Sequence, residues 1–353
     1  MINWMEYLHR AVEDQASDVF FVAGSKVCQK REGHLVPVGT ENLLSPDTLQ
    51  IAREIYEKAG RDWEIFEKTG DDDFSFAIAG LARFRVNMYR QRGSVATVIR
   101  IVSFDIPDWK VIGIPERVMD LAKLESGMVL VTGTAGSGKS TTQACLIDRI
   151  NATRDCHIVT LEDPIEFLHR HKRSLVSQRE IAIDTRDYLS ALRACLRQAP
   201  DVILLGEMRD PETIHTAMSA AETGHLVIAT LHTKGAGNAI DRIVDAFPSA
   251  QQSQIRIQLS AVLRTVVSQQ LLPDEQGGMI PACEMLHINN AVRSMIRDNK
   301  SHQIDNVISS GGKEGMISMD QAILVLYRAG KISRDTALHY ADAPEQLARN
   351  LDR

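Results

Sequence analysis

The chain is short of aromatic residues, of cysteine pairs, of positive charge and of long apolar runs. Each shortage removes a class of function. Aromatics make up 5% of the 353 residues, which leaves few platforms for stacking single-stranded bases. A net charge of −6 argues against the broad basic surface that duplex nucleic acid requires, so no nucleic-acid partner is expected, although a local basic groove stays compatible with it. The five cysteines, Cys28, Cys145, Cys156, Cys195 and Cys283, stand singly with no C-x-x-C pair. That excludes the usual zinc ribbon and points to a reducing compartment. No apolar run approaches the roughly eighteen residues of a membrane helix. The opening M-I-N-W-M-E-Y-L-H-R carries Glu6 and lacks the apolar core of a signal peptide. The expectation is a cytoplasmic protein that meets a membrane only through partners.

What is present begins with globular composition, 44% apolar and 24% charged, in a length suited to about two domains. The most informative stretch is residues 128–151. An apolar run, Met128 to Val131, leads into Gly133-Thr134-Ala135-Gly136-Ser137-Gly138-Lys139-Ser140-Thr141, and a segment free of Gly and Pro follows. Gly133, Gly138, Lys139 and Ser140 satisfy G-x-x-x-x-G-K-[ST] in the strand, loop, helix order that phosphate binding needs. Glycines there let backbone N–H groups turn inward as an anion nest at a helix N-terminus. Lys139 is placed to reach β- and γ-phosphates, and the Ser140 hydroxyl to take one Mg²⁺ position, which makes ATP and Mg²⁺ the expected ligands.

Residues 1–103 read as a small α+β domain. Trp4, Met5, Leu8 and Val12 have helical spacing, strands are expected over 18–23 and 26–38 with a turn at Glu32-Gly33, and a second helix over 46–58. Three more strands follow at 74–79, 82–89 and 95–102, with the acidic run 71–73 read as a solvated turn. Alternation of Phe84, Val86 and Met88 sends Arg83, Arg85 and Asn87 to the other face, with Arg90, Arg92 and Arg100 nearby. That face is either an ordinary solvated surface or an anion site serving another domain or subunit, as an arginine finger does. Residues 104–115, with Pro107, Gly113 and Pro115, read as the linker, and 116–353 as the second domain.

Three further apolar runs, 157–161, 202–205 and 226–229, end in polar residues: Glu162-Asp163-Pro164, Gly206-Glu207 and Thr230-Leu231-His232-Thr233. Short apolar strands separated by helical stretches imply a parallel sheet buried on both faces, whose ligand lies beyond the strands' carboxyl ends. Glu162, Glu207 and His232 are therefore expected beside the phosphate loop. Glu207 has the position of a carboxylate that orients water and, through water, a metal, although Gly206 replaces the more usual Asp before it. His169-Arg170-His171-Lys172-Arg173 reads as a solvated loop without metal-ligand spacing. From 239 onward the pattern is helical, including 254–270, apart from a turn at 273–278 and a strand at 280–285.

Taken together, L-E-D-P-I-E (161–166), L-L-G-E-M-R-D (204–210) and A-E-T-G-H-L-V-I-A-T-L-H-T (221–233) resemble the Asp box, Walker B and His box of the secretion and type IV pilus ATPases. A-S-D-V-F-F-V-A-G (16–24) and A-R-F-R-V-N (82–87) resemble the N-terminal domain of that family. A-V-R-S-M-I-R-D (291–298) and G-M-I-S-M-D-Q-A (315–322) are similar to the signature of its retraction branch. Thr134-Ala135 and Asp298-Asn299 depart from the common pattern. The resemblance implies a RecA-like P-loop ATPase domain preceded by a smaller PAS-like α+β domain. It also implies a homohexamer with each ATP between one subunit's loop and a neighbour's N-terminal domain, and a role in pilus retraction at the inner face of the cell membrane through a membrane-embedded platform protein. Glu207 would activate water with support from Glu162, His232 would respond to the γ-phosphate, and Arg83, Arg85 and Arg100 would supply or support trans arginines. An accessory ATP-binding regulator and an assembly or secretion ATPase of the same family are the other readings.

Overall fold

A computed structural model of the chain describes residues 2–31, 33–102 and 106–351. Glu32 of the first expected turn, Ser103 and the first two residues of the expected linker, Phe104 and Asp105, lie outside the described residues. The chain forms two compact units, Met1–Asp105 with Glu166–Leu168, and Ile106–Ile165 with His169–Arg353.

The first unit holds a six-stranded antiparallel sheet of β1 (Asp18–Phe21), β2 (Cys28–Arg31), β3 (His34–Pro37), β4 (Asp71–Ile78), β5 (Ala82–Gln91) and β6 (Ser94–Val102), ordered β3-β2-β1-β6-β5-β4. Helices Trp4–Glu13, Ser45–Lys58 and Trp63–Thr69 accompany it. Alternation along β5 buries Phe84, Val86 and Met88 in a core with Leu8, Ile51, Ile55, Tyr56 and Phe66. Arg83, Arg85 and Asn87 take the opposite face, as period-2 geometry requires.

The acidic run 71–73 is not a turn: it opens β4. Its middle carboxylate explains why. Asp72 accepts two hydrogen bonds from Arg61, at 2.6 and 2.7 Å, and one from the Tyr56 hydroxyl at 2.5 Å, so its charge is matched where it is buried. Burial works to raise the Asp72 pKa, but the Arg61 and Tyr56 hydrogen bonds and the Arg61 charge outweigh it and hold the carboxyl below its ordinary value.

The second unit is built on β7 (Gly127–Thr132), β8 (His157–Glu162), β9 (Leu175–Glu180), β10 (Val202–Leu205), β11 (Leu226–Leu231), β12 (Leu263–Pro273) and β13 (Met279–His287), ordered β13-β12-β7-β11-β10-β8-β9. All neighbours are parallel except β12 and β13. Successive residues feed opposite layers. Met128, Leu130, Ile203, Leu205, Val227 and Ala229 join one apolar cluster, while Val129, Val131, Val202, Leu204, Leu226 and Ile228 join the other. This is why these strands read as unbroken apolar runs. Each Val, Leu, Ile or Met side chain among them contributes about 1.5–3 kcal/mol on burial, so polar residues are deferred to the strand ends.

Residues 263–270 depart from the helical expectation. The helix Ser249–Val262 stops at Leu263, and β12 runs from there between β7 and β13. Val262, Leu263, Val266 and Val267 fit a helical stripe, but a strand buried on both faces can carry the same run. The partner strands decide between them. β9 and the helix Tyr188–Cys195 had no separate signal in the sequence, since a polar strand such as L-V-S-Q-R-E shows little apolar patterning. Residues 106–115 contain no helix or strand, and Ile106, Trp109, Ile112 and Ile114 pack into the second unit's core.

Asp72→Ala is expected to lower the unfolding free energy by about 2–3 kcal/mol in a denaturant titration near neutral pH, by orphaning Arg61. Because the folded pKa lies below the unfolded value of about 3.9, the contribution is complete above that pH and fades as pH falls through the folded pKa. The gap between the two proteins should close in acid. A gap independent of pH would count against this account.

Candidate functional site

The phosphate-loop sequence connects β7 to the helix Lys139–Thr153. Gly133 has φ +147, and a Cβ there would lie 2.4 Å from the Gln269 carbonyl and 2.5 Å from the Ser137 hydroxyl. Gly138 has φ +83 and immediately precedes the helix. Thr134, Ala135 and Gly136 form the exposed crest of the loop, while Ser137 and Lys139 are buried and Ser140 and Thr141 are partly covered. The Lys139 ammonium donates to the carbonyls of Gly133 at 2.9 Å and Thr134 at 2.8 Å, folding the side chain back along its own loop.

One residue that the sequence did not single out fixes the loop from below. Gln269, 1% exposed on β12, donates from Nε2 to the Ser137 carbonyl at 2.8 Å and accepts at Oε1 from the Thr142 hydroxyl at 2.8 Å. Its amide thus joins the loop's base to the first turn of the following helix. The signal for it was an amide pair, Gln269-Gln270, inside an apolar run, which is legible only once 263–273 is known to be a strand beside β7.

The other expected residues lie at the carboxyl edge of the same sheet. Leu161, Leu205, Ala229 and Leu130 occupy one row of the ladder, so Glu162, Gly206, Thr230 and Val131 occupy the next. Glu207 follows Gly206, with its carboxylate mostly buried. Arg209 Nε lies 2.8 Å from one Glu207 oxygen and His232 Nε2 3.5 Å from the other. Glu207 and His232 therefore meet directly, across strands far apart in sequence. Glu162 accepts from the Thr160 hydroxyl at 2.6 Å and from Gln178 Nε2 at 3.2 Å. His225 is at the opposite end of β11, bonded to the Ala220 carbonyl at 2.9 Å, and takes no part in this edge.

His169 corrects the solvated-loop reading. Arg170, His171, Lys172 and Arg173 are exposed, but the His169 ring is largely covered and burial pushes its pKa down to about 4. Its backbone N–H donates to Gln178 Oε1 at 2.7 Å, on the amide whose other end reaches Glu162.

Gly206 has a steric reason. A Cβ at this position would lie 2.7 Å from the Tyr188 hydroxyl, closer than real Cβ contacts come, and 3.3 Å from the Glu162 Cα, a tight contact. An Asp, usual at this place in a Walker B strand, would require the Tyr188 hydroxyl to move aside.

Arg83, Arg85 and Arg100 belong to the first unit. Arg85 and Arg100 are directly paired across β5 and β6, and Arg83 lies two residues along on the same face. Arg100 is 64% exposed and donates to Asp18 at 2.9 Å.

Gln269→Leu keeps the volume but leaves the Ser137 carbonyl and Thr142 hydroxyl without their partner, at a cost of about 1–2 kcal/mol shared between fold and loop shape. Calorimetric titration should show ADP affinity reduced about 5-fold or more, and unchanged affinity would mean that the loop keeps its shape without the amide.

The model of the family described as type II/IV secretion system protein matches residues 2–319. The chain is similar to the type IV pilus retractation ATPase PilT of Pseudomonas aeruginosa, 41% identical over 346 residues that cover 97% of this chain and 99% of the relative. It is also similar to a twitching motility protein of Neisseria gonorrhoeae, 45% identical over 286 residues covering 81% and 76%. Among solved structures, a crystal structure of the pilus retraction motor PilT with bound ADP superposes with a TM-score of 0.90 at 43% identity, covering 99% of this chain and all of that one. The chain is a P-loop α/β protein with an N-terminal α+β domain, and it belongs to the type II/IV secretion system protein family.

Proposed function

We propose that the chain is the ATP-hydrolysing motor of type IV pilus retraction, acting as a homohexamer. The observation that carries the chemistry is the shared carboxyl edge. The phosphate loop, Glu162, Glu207 and His232 come from four parallel strands to one side of one sheet. Near full-length similarity to pilus retraction proteins supports the biological assignment. We take residues 1–103 as the N-terminal domain, 104–115 as the linker and 116–353 as the motor domain.

In this reading the loop N–H groups between Gly133 and Ser140 receive the phosphates of ATP, and Lys139 exchanges its two loop carbonyls for β- and γ-phosphate oxygens. The donor set fits magnesium. Ser140 offers a hydroxyl at the helix start and Glu207 a carboxylate acting through water, both hard oxygen donors. Among the described residues no group of three or more His, Cys, Asp or Glu closes a cage, which suits an ion that keeps several waters and shares phosphate oxygens. When bound, Mg²⁺ would neutralise charge developing on the β- and γ-phosphates.

Glu207 orients the attacking water and takes its proton as the bond from water oxygen to the γ-phosphorus forms. The bond to the β,γ-bridging oxygen breaks, and ADP leaves with the electron pair. Arg209 and His232 hold the Glu207 carboxylate. His232 is therefore suited to report whether a γ-phosphate is present. Arg83, Arg85 and Arg100 are assigned to a neighbouring subunit's nucleotide, with Arg100 the most exposed candidate. Among the described residues no helix is long and apolar enough to cross a membrane. We place the protein on the cytoplasmic side of the inner membrane, held by a platform protein of the pilus.

Glu207→Gln should bind ATP with near-normal affinity while hydrolysing it at least about 100-fold more slowly. Cells whose only copy carries it should show excess surface pili and no twitching. Bald cells would assign the protein to assembly instead, and an unchanged pilus count would favour the accessory reading. In the unsubstituted protein, ATPase activity per subunit should rise with concentration as rings form. A flat profile would contradict the trans arginines.

A further inference from the structure

His232 stands on a segment that belongs to no element. The sheet ladder ends at Leu231, paired with Thr132, and the next helix, Ala236–Asp245, has yet to begin. The far end of the segment is fixed to the second unit's sheet. Gly235 N donates to the Ser268 hydroxyl on β12 at 3.0 Å, and Ala236 N to the buried Glu284 carboxylate on β13 at 2.9 Å. Lys234 reaches elsewhere. Its ammonium lies 2.9 Å from a carboxylate oxygen of Asp342, in the turn between the helices Arg334–Tyr340 and Pro344–Leu351. That turn is itself held, because the Asp320 carboxylate accepts from Asp342 N at 2.7 Å and from Ala343 N at 3.0 Å. Met319, Ile323, Ala337 and Leu347 of these C-terminal helices share a separate apolar cluster with Leu272 and Ile280. The carboxylate that receives Lys234 is therefore presented by a packed body. A cleft of about 570 Å³ lies between that body and the helix Ala236–Asp245. Asp241, Glu284, Asp305, Asp320 and Asp342 line it, and Lys234 is the one Lys or Arg among the described residues that do. Acidic walls attract an ammonium along their whole length, and the fixed turn at Asp342 gives it one address.

We propose that Lys234 and Asp342 are positioning residues for hydrolysis: their ion pair ties the segment that carries His232 to the C-terminal helices and so sets where His232 stands against Glu207. The inference rests on the ATPase reading above. His232 Nε2 lies 3.5 Å from a Glu207 oxygen, at the outer limit of a direct hydrogen bond, so a small shift of the segment makes or breaks the contact. Lys234 is two residues away. Half-exposed ion pairs contribute little to overall stability. What this one limits is the range of positions open to a short segment, and catalytic geometry is more sensitive to that than a folding equilibrium is. The pair also gives the C-terminal helices a route to the catalytic carboxylate. Whatever displaces those helices displaces Lys234, and with it His232.

The test is steady-state ATPase kinetics of assembled, full-length protein carrying Lys234→Met, Asp342→Asn, both together, or Lys234→Arg, with Lys234→Met repeated in a His232→Ala background. Each neutralising single variant should lower kcat about 2- to 5-fold with KM for ATP within about 2-fold. The double variant should cost no more than either single one, and Lys234→Arg should keep most of the activity, since a guanidinium reaches the same carboxylate. Without His232, Lys234→Met should change kcat by less than about 1.5-fold, because the residue it positions is gone. Thermal unfolding midpoints should stay within about 2 °C of the unsubstituted protein. Additive costs in the double variant, or an undiminished cost of Lys234→Met in the His232→Ala background, overturn the inference and leave the ATPase reading standing. A loss of kcat that merely tracks falling midpoints, Lys234→Arg included, does the same. No hydrolysis by the unsubstituted protein overturns both.

Discussion

Parallel pairing of β7, β11, β10 and β8 is the constraint on which the site depends. Parallel strands put all their carboxyl ends on one side, and a sheet covered by two apolar layers has no room for charge along its length. Polar residues are thereby forced to the ends, where the loops leave the sheet. The ladder register then sets which of them are neighbours. Gly206 sits beside Glu162 on one flank and Thr230 on the other, and the Thr230 hydroxyl donates to the Gly206 carbonyl. The turn that presents Glu207 is thus tied into the sheet on both sides, since Gly206 N also donates to the Leu161 carbonyl at 2.8 Å.

Around this edge Arg209 pairs with Glu207, and amides and hydroxyls meet several of the other polar requirements. Gln269 holds the phosphate loop, Gln178 joins Glu162 to the His169 backbone, and Thr160 caps the Glu162 carboxylate. Neutral donors orient a carboxylate or a loop without changing the net charge where a polyphosphate must be received. The first unit follows a different rule. Asp72 is buried there, and its charge is matched in place by Arg61 and Tyr56. That solution suits a structural position in which nothing has to bind.

Much of this was legible in the chain. Gly133 to Ser140, the strand-end residues Glu162, Glu207 and His232, and the alternation that sends Arg83 and Arg85 to one face are all local patterns, and local patterns survive in a one-dimensional record. The errors have a common cause. Residues 263–270 look helical because a strand buried on both faces loses the period-2 signature, and 71–73 look like a solvated turn because the matching Arg61 and Tyr56 lie 11 and 16 positions away. His169 looked solvated among its basic neighbours, although its ring is covered.

By itself the sequence determined the phosphate loop, the α/β class and the identity of the strand-end carboxylates, because glycine spacing and apolar runs encode backbone conformation and burial directly. Tertiary structure alone decided that Glu207 meets His232, that Gln269 braces the loop, and that the Tyr188 hydroxyl stands where a Gly206 side chain would begin. Those relations join residues 18 to 132 positions apart. They follow from strand order and ladder register, which a linear pattern does not contain until the strands have found their neighbours.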